Sequence, residues 1–140
     1  MNDRVFVDTN VIVYAHIVNE QHKHEAALAL LRDNLADSRL WISSQILSEF
    51  YSAMSKNKYE HENIAEYILA LMQNMNVSSL TPETVKKALQ LKGKYQFSYW
   101  DSLMLASALE RNCSIVYTED LQHDQIIEGT LTIKNPFFRS

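Results

Sequence analysis

Apolar positions along this chain alternate between short unbroken runs and longer stretches in which they recur every three or four residues. Val5-Phe6-Val7, Arg39-Leu40-Trp41-Ile42 and Ser114-Ile115-Val116-Tyr117 are runs of the first kind, rich in β-branched and aromatic residues, and they predict buried strands. A further short strand is expected near Asn76 to Ser79, and a last, weaker one over Thr130 to Ile133. Stretches of the second kind separate them. Val11 to Ala15 follows the capping side chains of Asp8-Thr9-Asn10, and Ala27, Leu28, Leu31 and Leu35 lie at helical spacing between His24 and Ala36. Ser43-Ser44 opens a helix with Ile46, Leu47, Phe50, Tyr51 and Met54 on one face, and another helix is predicted from Glu62 to Asn74. Thr81-Pro82-Glu83 is a helix start with proline at its first position, and Ser98-Tyr99-Trp100-Asp101 starts a helix ending near Arg111-Asn112. Residues 118–129 read as loop. Strands alternating with helices predict βαβ units, hence a three-layer α/β/α fold with a mainly parallel sheet of four to five strands. One domain over residues 1–140 is expected, without repeat or low-complexity tract.

Composition narrows the picture. Hydrophobic residues make up 46% of 140, enough for a core, while only two glycines and two prolines argue against a loop-rich sandwich. The single cysteine, Cys113, excludes an internal disulfide and fits a cytoplasmic location. No apolar stretch approaches the roughly 20 residues of a membrane span, and the run ending at Asp8 is too brief for a signal peptide. Net charge is −4 with no basic stripe, so contact with nucleic acid is expected to be local and helped by a cation.

The topology then locates the acids. In a right-handed βαβ unit the helix starts above the carboxyl edge of the strands. Asp8 directly follows the first strand, Asp120 lies just past the fourth, Asp101 sits in the first turn of its helix and Glu49 in the second turn of another. All four are expected on the rim where open α/β sheets bind ligands. Asp101 shares a helical stripe with Met104, Leu105 and Ala108, which puts a carboxylate at the head of a core-facing row. Carboxylates sharing a rim repel and raise one another's pKa values. A divalent cation removes the conflict, and Mg²⁺ suits hard oxygen ligands while keeping several waters. Such an ion activates water and steadies the departing oxygen of a phosphodiester, with no serine–histidine or cysteine–histidine pair required.

Val-Asp-Thr-Asn at 7–10, Ser-Glu at 48–49, Tyr-Trp-Asp-Ser at 99–102 and Tyr-Thr-Glu-Asp at 117–120 together resemble the PIN-domain ribonucleases. More narrowly, they resemble the VapC-type toxins of bacterial toxin–antitoxin pairs, over essentially the whole chain down to Lys134-Asn135-Pro136-Phe137. The resemblance implies a PIN-like fold and a Mg²⁺ or Mn²⁺ site formed by Asp8, Glu49, Asp101 and Asp120. Thr9, Asn10 and Thr118 would support them through hydrogen bonds. It further implies an endoribonuclease acting on RNA, often tRNA, as a homodimer inhibited by a VapB-like antitoxin. Asp124 stands where relatives often carry glycine, so this loop offers two carboxylates, Asp120 and Asp124.

Plainer roles compete at each position. Asp8 and Asp101 suit helix capping, Glu49 a solvated flank and Asp120 a turn. His16, His22, His24, His61 and His123 match no strong zinc spacing. Tyr95, Phe97, Tyr99 and Trp100 read first as packing around a helix entry, with base stacking as the alternative. Lys86, Lys87, Lys92 and Lys94 form a solvated face and are the first candidates for phosphate contacts. Two other functions are weighed. An aspartyl-phosphate enzyme would use Asp8, although the triplet lacks a second aspartate. A catalytically silent RNA- or protein-binding module would have no reason to hold four repelling acids together.

Overall fold

The computed structural model describes residues 3–139. In chain order the elements are β1 (Val5–Val7), α1 (Thr9–His16), α2 (Gln21–Asn34), β2 (Leu40–Ser43), α3 (Ser44–Lys56), α4 (His61–Asn74), β3 (Asn76–Ser78), α5 (Pro82–Tyr95), α6 (Tyr99–Glu110), β4 (Ile115–Tyr117), β5 (Ile126–Ile127) and β6 (Leu131–Lys134). The sheet runs β3-β2-β1-β4-β6-β5, and every neighbouring pair is parallel except β5 with β6. Right-handed crossovers carry α1–α4 over one face and α5–α6 over the other, giving three layers. Helix contacts agree: α1 packs on α2 and α3, α3 on α4, and α5 on α6.

The sheet has six strands where four to five were expected. β5 is only two residues long and lies within the 118–129 segment whose sequence predicts loop. It pairs back through a turn in which Glu128 and Gly129 both have positive φ, 54° and 73°, the sign pattern of a type I′ hairpin. Glutamate at the first of these positions hides the Asn-Gly or Asp-Gly signal by which such turns are recognised.

The centre of the core is β1. Val5, Phe6 and Val7 are wholly buried, as a strand covered on both faces requires. On α3, Ile46, Phe50 and Met54 repeat every fourth residue and face inward. α6 is buried all round from Ser102 to Ala108, so the acid in its first turn stands at the mouth of a dry helix. Thr81 and Thr84 form a capping box that starts α5, and Thr84 Oγ1 donates to Glu110 Oε1 at 2.6 Å, tying α5 to the end of α6.

One core-edge residue carries an internal conflict. The Trp41 ring lies beneath two guanidinium groups, Arg4 at 5.3 Å and Arg111 at 5.6 Å, yet its buried Nε1 has no hydrogen-bond partner. A phenyl ring keeps an aromatic face for the cations and removes the unsatisfied N–H. Trp41→Phe is therefore expected to shift the melting temperature by less than about 4 °C, or about 1 kcal/mol. A fall of twice that in thermal unfolding would show that the indole itself is needed.

Candidate metal centre

The order β3-β2-β1-β4 means that the chain leaves β1 toward one side and returns to its other side at β4. The crevice between the carboxyl ends of β1 and β4 is thus a topological switch point, where ligands of open α/β sheets bind. Asp8 leaves β1 in extended conformation and caps α1. Its backbone N–H donates to Tyr117 O at 3.0 Å, which splices the two strand ends together. Its carboxylate is doubly held: Oδ1 accepts from Thr9 N and Oδ2 from Thr118 Oγ1, each at 2.7 Å. The Thr118 hydroxyl also accepts from Asp120 N at 3.2 Å, so a single buried threonine orients both acids.

Glu49 reaches in from the second turn of α3. Thr9 Oγ1 donates to its Oε1 at 2.7 Å and Gln45 Nε2 to its Oε2 at 3.2 Å. Asp101 arrives from the first turn of α6, where Ser98 caps the helix by accepting from Asp101 N at 3.1 Å. Asn10 Nδ2 lies 3.4 Å from Asp120 Oδ2. All four carboxylates, with Thr9 and Asn10, line one cavity of about 480 Å³. Thr118 lies behind it, wholly buried. Asp124 is not in that lining. It turns outward to Lys134 and His123, leaving Asp120 as the acid of this loop that faces the cavity.

The electrostatics are those of an uncompensated acidic site. Asp8 is 7% exposed, and burial pushes its carboxyl up to about 7 against the two hydrogen bonds, with the charges of Asp120 and Glu49 adding to the rise. Burial also raises Asp101, helped by Glu49, and raises Asp120, helped by Asp101, Glu119 and Glu49. Among the described residues, the only cationic side chain in the lining is Lys56.

A cation fits this donor set. The four acidic side chains of the lining offer hard oxygen donors. Burial together with neighbouring negative charge raises the carboxyls of Asp8, Asp101 and Asp120, a cost that a cation would relieve. The fit is that of an ion which keeps part of its water shell. Among the described residues, no three acidic, histidine or cysteine side chains stand close enough together to hold a metal ion by themselves, so an ion here would rest on fewer side chains and on water. Mg²⁺ habitually uses one or two carboxylates and retains its waters.

Some groups that shape the site were not singled out from the sequence. Glu119, between Thr118 and Asp120, points away from the cavity, taking Lys23 Nζ at 2.9 Å and Tyr14 Oη at 2.7 Å. The Lys23 ammonium also lies over the rings of Tyr14 and Phe137. Its pKa is raised, chiefly by the Glu119 hydrogen bond. This network anchors the 118–120 segment to α1 and α2 from behind. Ser52 and Lys56 carry no signal in the sequence motifs, although with Ser48 of the Ser-Glu motif their four-residue spacing places them on one stripe of α3. The lysines of α5 stand elsewhere. Lys87 and Lys94 pair with Glu128, Lys92 Nζ donates to Phe97 O, and none of them lines the cavity. None of the five histidines lines it either.

Comparison with known proteins follows the same geometry. The model of the PIN domain matches residues 5–128. No curated protein matches the sequence at a significant level. Among solved structures, a toxin–antitoxin complex from Klebsiella pneumoniae aligns with a TM-score of 0.71 at 16% identity, covering 95% of this chain and 98% of that one. Mycobacterium tuberculosis VapC20, described as a sarcin-ricin loop cleaving toxin, aligns at 0.69 and 16% identity, covering 83% and 91%. DNA-bound VapBC from Salmonella typhimurium aligns at 0.68 and 20% identity, covering 96% and 99%. At these identities the likeness is one of fold.

Proposed function

The chain belongs to the PIN-domain family, and from that premise we propose that it is a divalent-metal-dependent endoribonuclease, the toxin of a toxin–antitoxin pair. The observation that carries this reading is the convergence of Asp8, Glu49, Asp101 and Asp120 on one cavity at the β1/β4 switch point. Asp8, Asp101, Glu49 and Asp120 are the residues that would hold Mg²⁺ or Mn²⁺. Bound there, such an ion would supply a water of lowered pKa and would neutralise charge on the departing oxygen. The chain's own residues do the rest. Thr9 and Thr118 fix the carboxylates of Glu49 and Asp8, both of which line the cavity. A carboxylate of the cluster takes the proton of the attacking water, and Lys56 at the rim meets a phosphate oxygen. Asn10 steadies Asp120.

The partners follow from the same reading: RNA as substrate, with tRNA a suitable class, a VapB-like antitoxin as inhibitor, and a second copy in a homodimer. Toxin–antitoxin complexes among the structural relatives support the antitoxin. Exposed Leu69 and Met72 on α4 and Leu89 on α5 are apolar surface that a dimer would cover, a state that sedimentation of the purified protein reads directly. Among the described residues no helix is long and apolar enough to cross a membrane. A single buried Cys113, its thiol pushed up to about 12 by burial, suits a reducing cytoplasm.

The test is cleavage of RNA by purified protein with Mg²⁺ or Mn²⁺, beside an EDTA control and an Asp101→Asn variant. Cleavage by the wild type alone, lost in EDTA, is expected. Cleavage that survives EDTA, or that the variant performs equally, would refute the assignment of this site.

A further inference from the structure

A second cavity, of about 460 Å³, adjoins the acidic one, with Ser48 and Glu49 in the walls of both. Its character is different. Leu80 and Trp100 give it an apolar side, and Trp100 is 61% exposed. The neighbouring aromatics are accounted for. Tyr95 and Phe97 stack on each other at 5.5 Å and 10°, and the Tyr95 hydroxyl donates to Glu128. Trp100 has no such cover, so the packing role expected from sequence does not describe it.

Its ring is nevertheless held in place. Tyr99 meets it edge-on, with centroids 5.4 Å apart and planes at 75°. The backbone beneath it is fixed by Gln45, whose Nε2 donates both to Trp100 O at 3.1 Å and to Glu49 Oε2 at 3.2 Å. Gln45 is 6% exposed and its Oε1 is buried without a partner. One amide therefore links the platform to a carboxylate of the metal centre.

Resting on the nuclease reading above, we propose that Trp100 is a stacking platform for one unpaired nucleobase of the RNA whose phosphodiester lies at the acidic cavity. Three observations favour a base as the occupant. The cavity shares Ser48 and Glu49 as walls with the acidic one, so a nucleotide flanking the reacting phosphate lies within its reach. Its volume falls in the range that holds a small ligand. The chain carries −4 overall, so phosphate contacts alone supply little affinity, whereas stacking on an indole face is indifferent to charge. Along α3, Ser44, Ser48, Ser52 and Lys56 follow one another at four-residue intervals through both cavities, a polar path of about 18 Å beside the proposed strand. A base on Trp100 must have left its helical stack, so an intact duplex is excluded.

Fluorescence tests this directly. In a Trp41→Phe background Trp100 is the only tryptophan. In EDTA and low salt, a short single-stranded oligoribonucleotide is expected to quench its emission, and the matching duplex to do so at least tenfold more weakly. Trp100→Ala, checked for folding by circular dichroism, is expected to weaken single-strand binding on the order of 10- to 100-fold by anisotropy of labelled RNA. Trp100→Phe should recover most of that loss, and Trp100→Leu, apolar but without a π face, should not. Equal quenching by duplex, unchanged binding by the alanine variant, or full recovery by leucine would overturn the proposal, the last pointing to a protein segment as occupant. Binding in EDTA requires no cleavage. A protein that stacks RNA on Trp100 but cuts none would sink the nuclease reading and leave this one standing.

Discussion

Replacing Asp8 with asparagine is expected to lower RNA cleavage by about two to four orders of magnitude while making the metal-free protein more stable at pH 8. The two effects have one origin. Asp8 is 7% exposed, and burial holds its carboxyl at about 7 instead of 3.8. A folded-state pKa raised above the unfolded one means that folding favours the protonated form. The associated stability is fully present below about pH 4 and is lost as pH rises through the window from 3.8 to about 7. That interval corresponds to about 4 kcal/mol as an upper bound, because relaxation around the ionised group recovers part of the cost. Asparagine never pays it. Its Oδ1 keeps the bond from Thr9 N, and its amide donates to a Thr118 hydroxyl that rotates to accept. A rise of about 3–10 °C in melting temperature is expected at pH 8, shrinking toward zero by about pH 4. Scanning calorimetry at both pH values decides the matter. A variant less stable at pH 8, or equally stabilised at both, would mean that the buried charge is not what limits this fold.

The position of Asp8 was readable from sequence because it depends on local chemistry alone: a buried strand ends, a capping residue follows, and the parallel topology places that junction at the ligand edge. Asp101 was readable for a similar reason, since Ser98 caps its helix and the row beneath it is Met104, Leu105 and Ala108, all buried. Glu49 and Asp120 followed from the same topology. What escaped depends on pairs far apart in the chain. Lys23 meets Glu119 across 96 positions, and no periodicity signals that contact. The lysines of α5 looked like a free cationic face because Glu128, which holds Lys87 and Lys94, lies on a hairpin that the pattern did not reveal. Four aromatics close in sequence looked alike as packing residues. The structure separates them, since Tyr95 and Phe97 satisfy each other while Trp100 faces outward. Helix phase assigns a residue to a side of its helix and says nothing about whether another element covers that side.

Mg²⁺ or Mn²⁺ added to metal-free protein is expected to raise the melting temperature by about 5–10 °C at pH 8 and by much less at pH 5.5. An ion that binds only the folded chain stabilises it by about 2.7 kcal/mol at a hundredfold excess over its Kd. Binding requires the carboxylates ionised, and at pH 5.5 a proton occupies the Asp8 carboxyl, which titrates near 7. The burial of Asp101 and Asp120, which also raises their carboxyls, adds to the competition in the same direction. The pH trends of the two forms therefore oppose each other. Without metal, stability falls between pH 3.8 and about 7, where the unfolded chain releases the Asp8 proton and the folded chain keeps it. With metal, the added stability grows toward the upper end of that window, because the cation supplies the charge that the cluster lacks. Differential scanning fluorimetry from pH 5 to 8.5, with and without EDTA, reads both curves. Asp101→Asn should flatten the metal-dependent one without abolishing the metal-free fall, which belongs to Asp8. A metal increment that is constant across pH, or one that an equal ionic strength of NaCl reproduces, would mean that the cation screens the surface and does not occupy the cavity between β1 and β4.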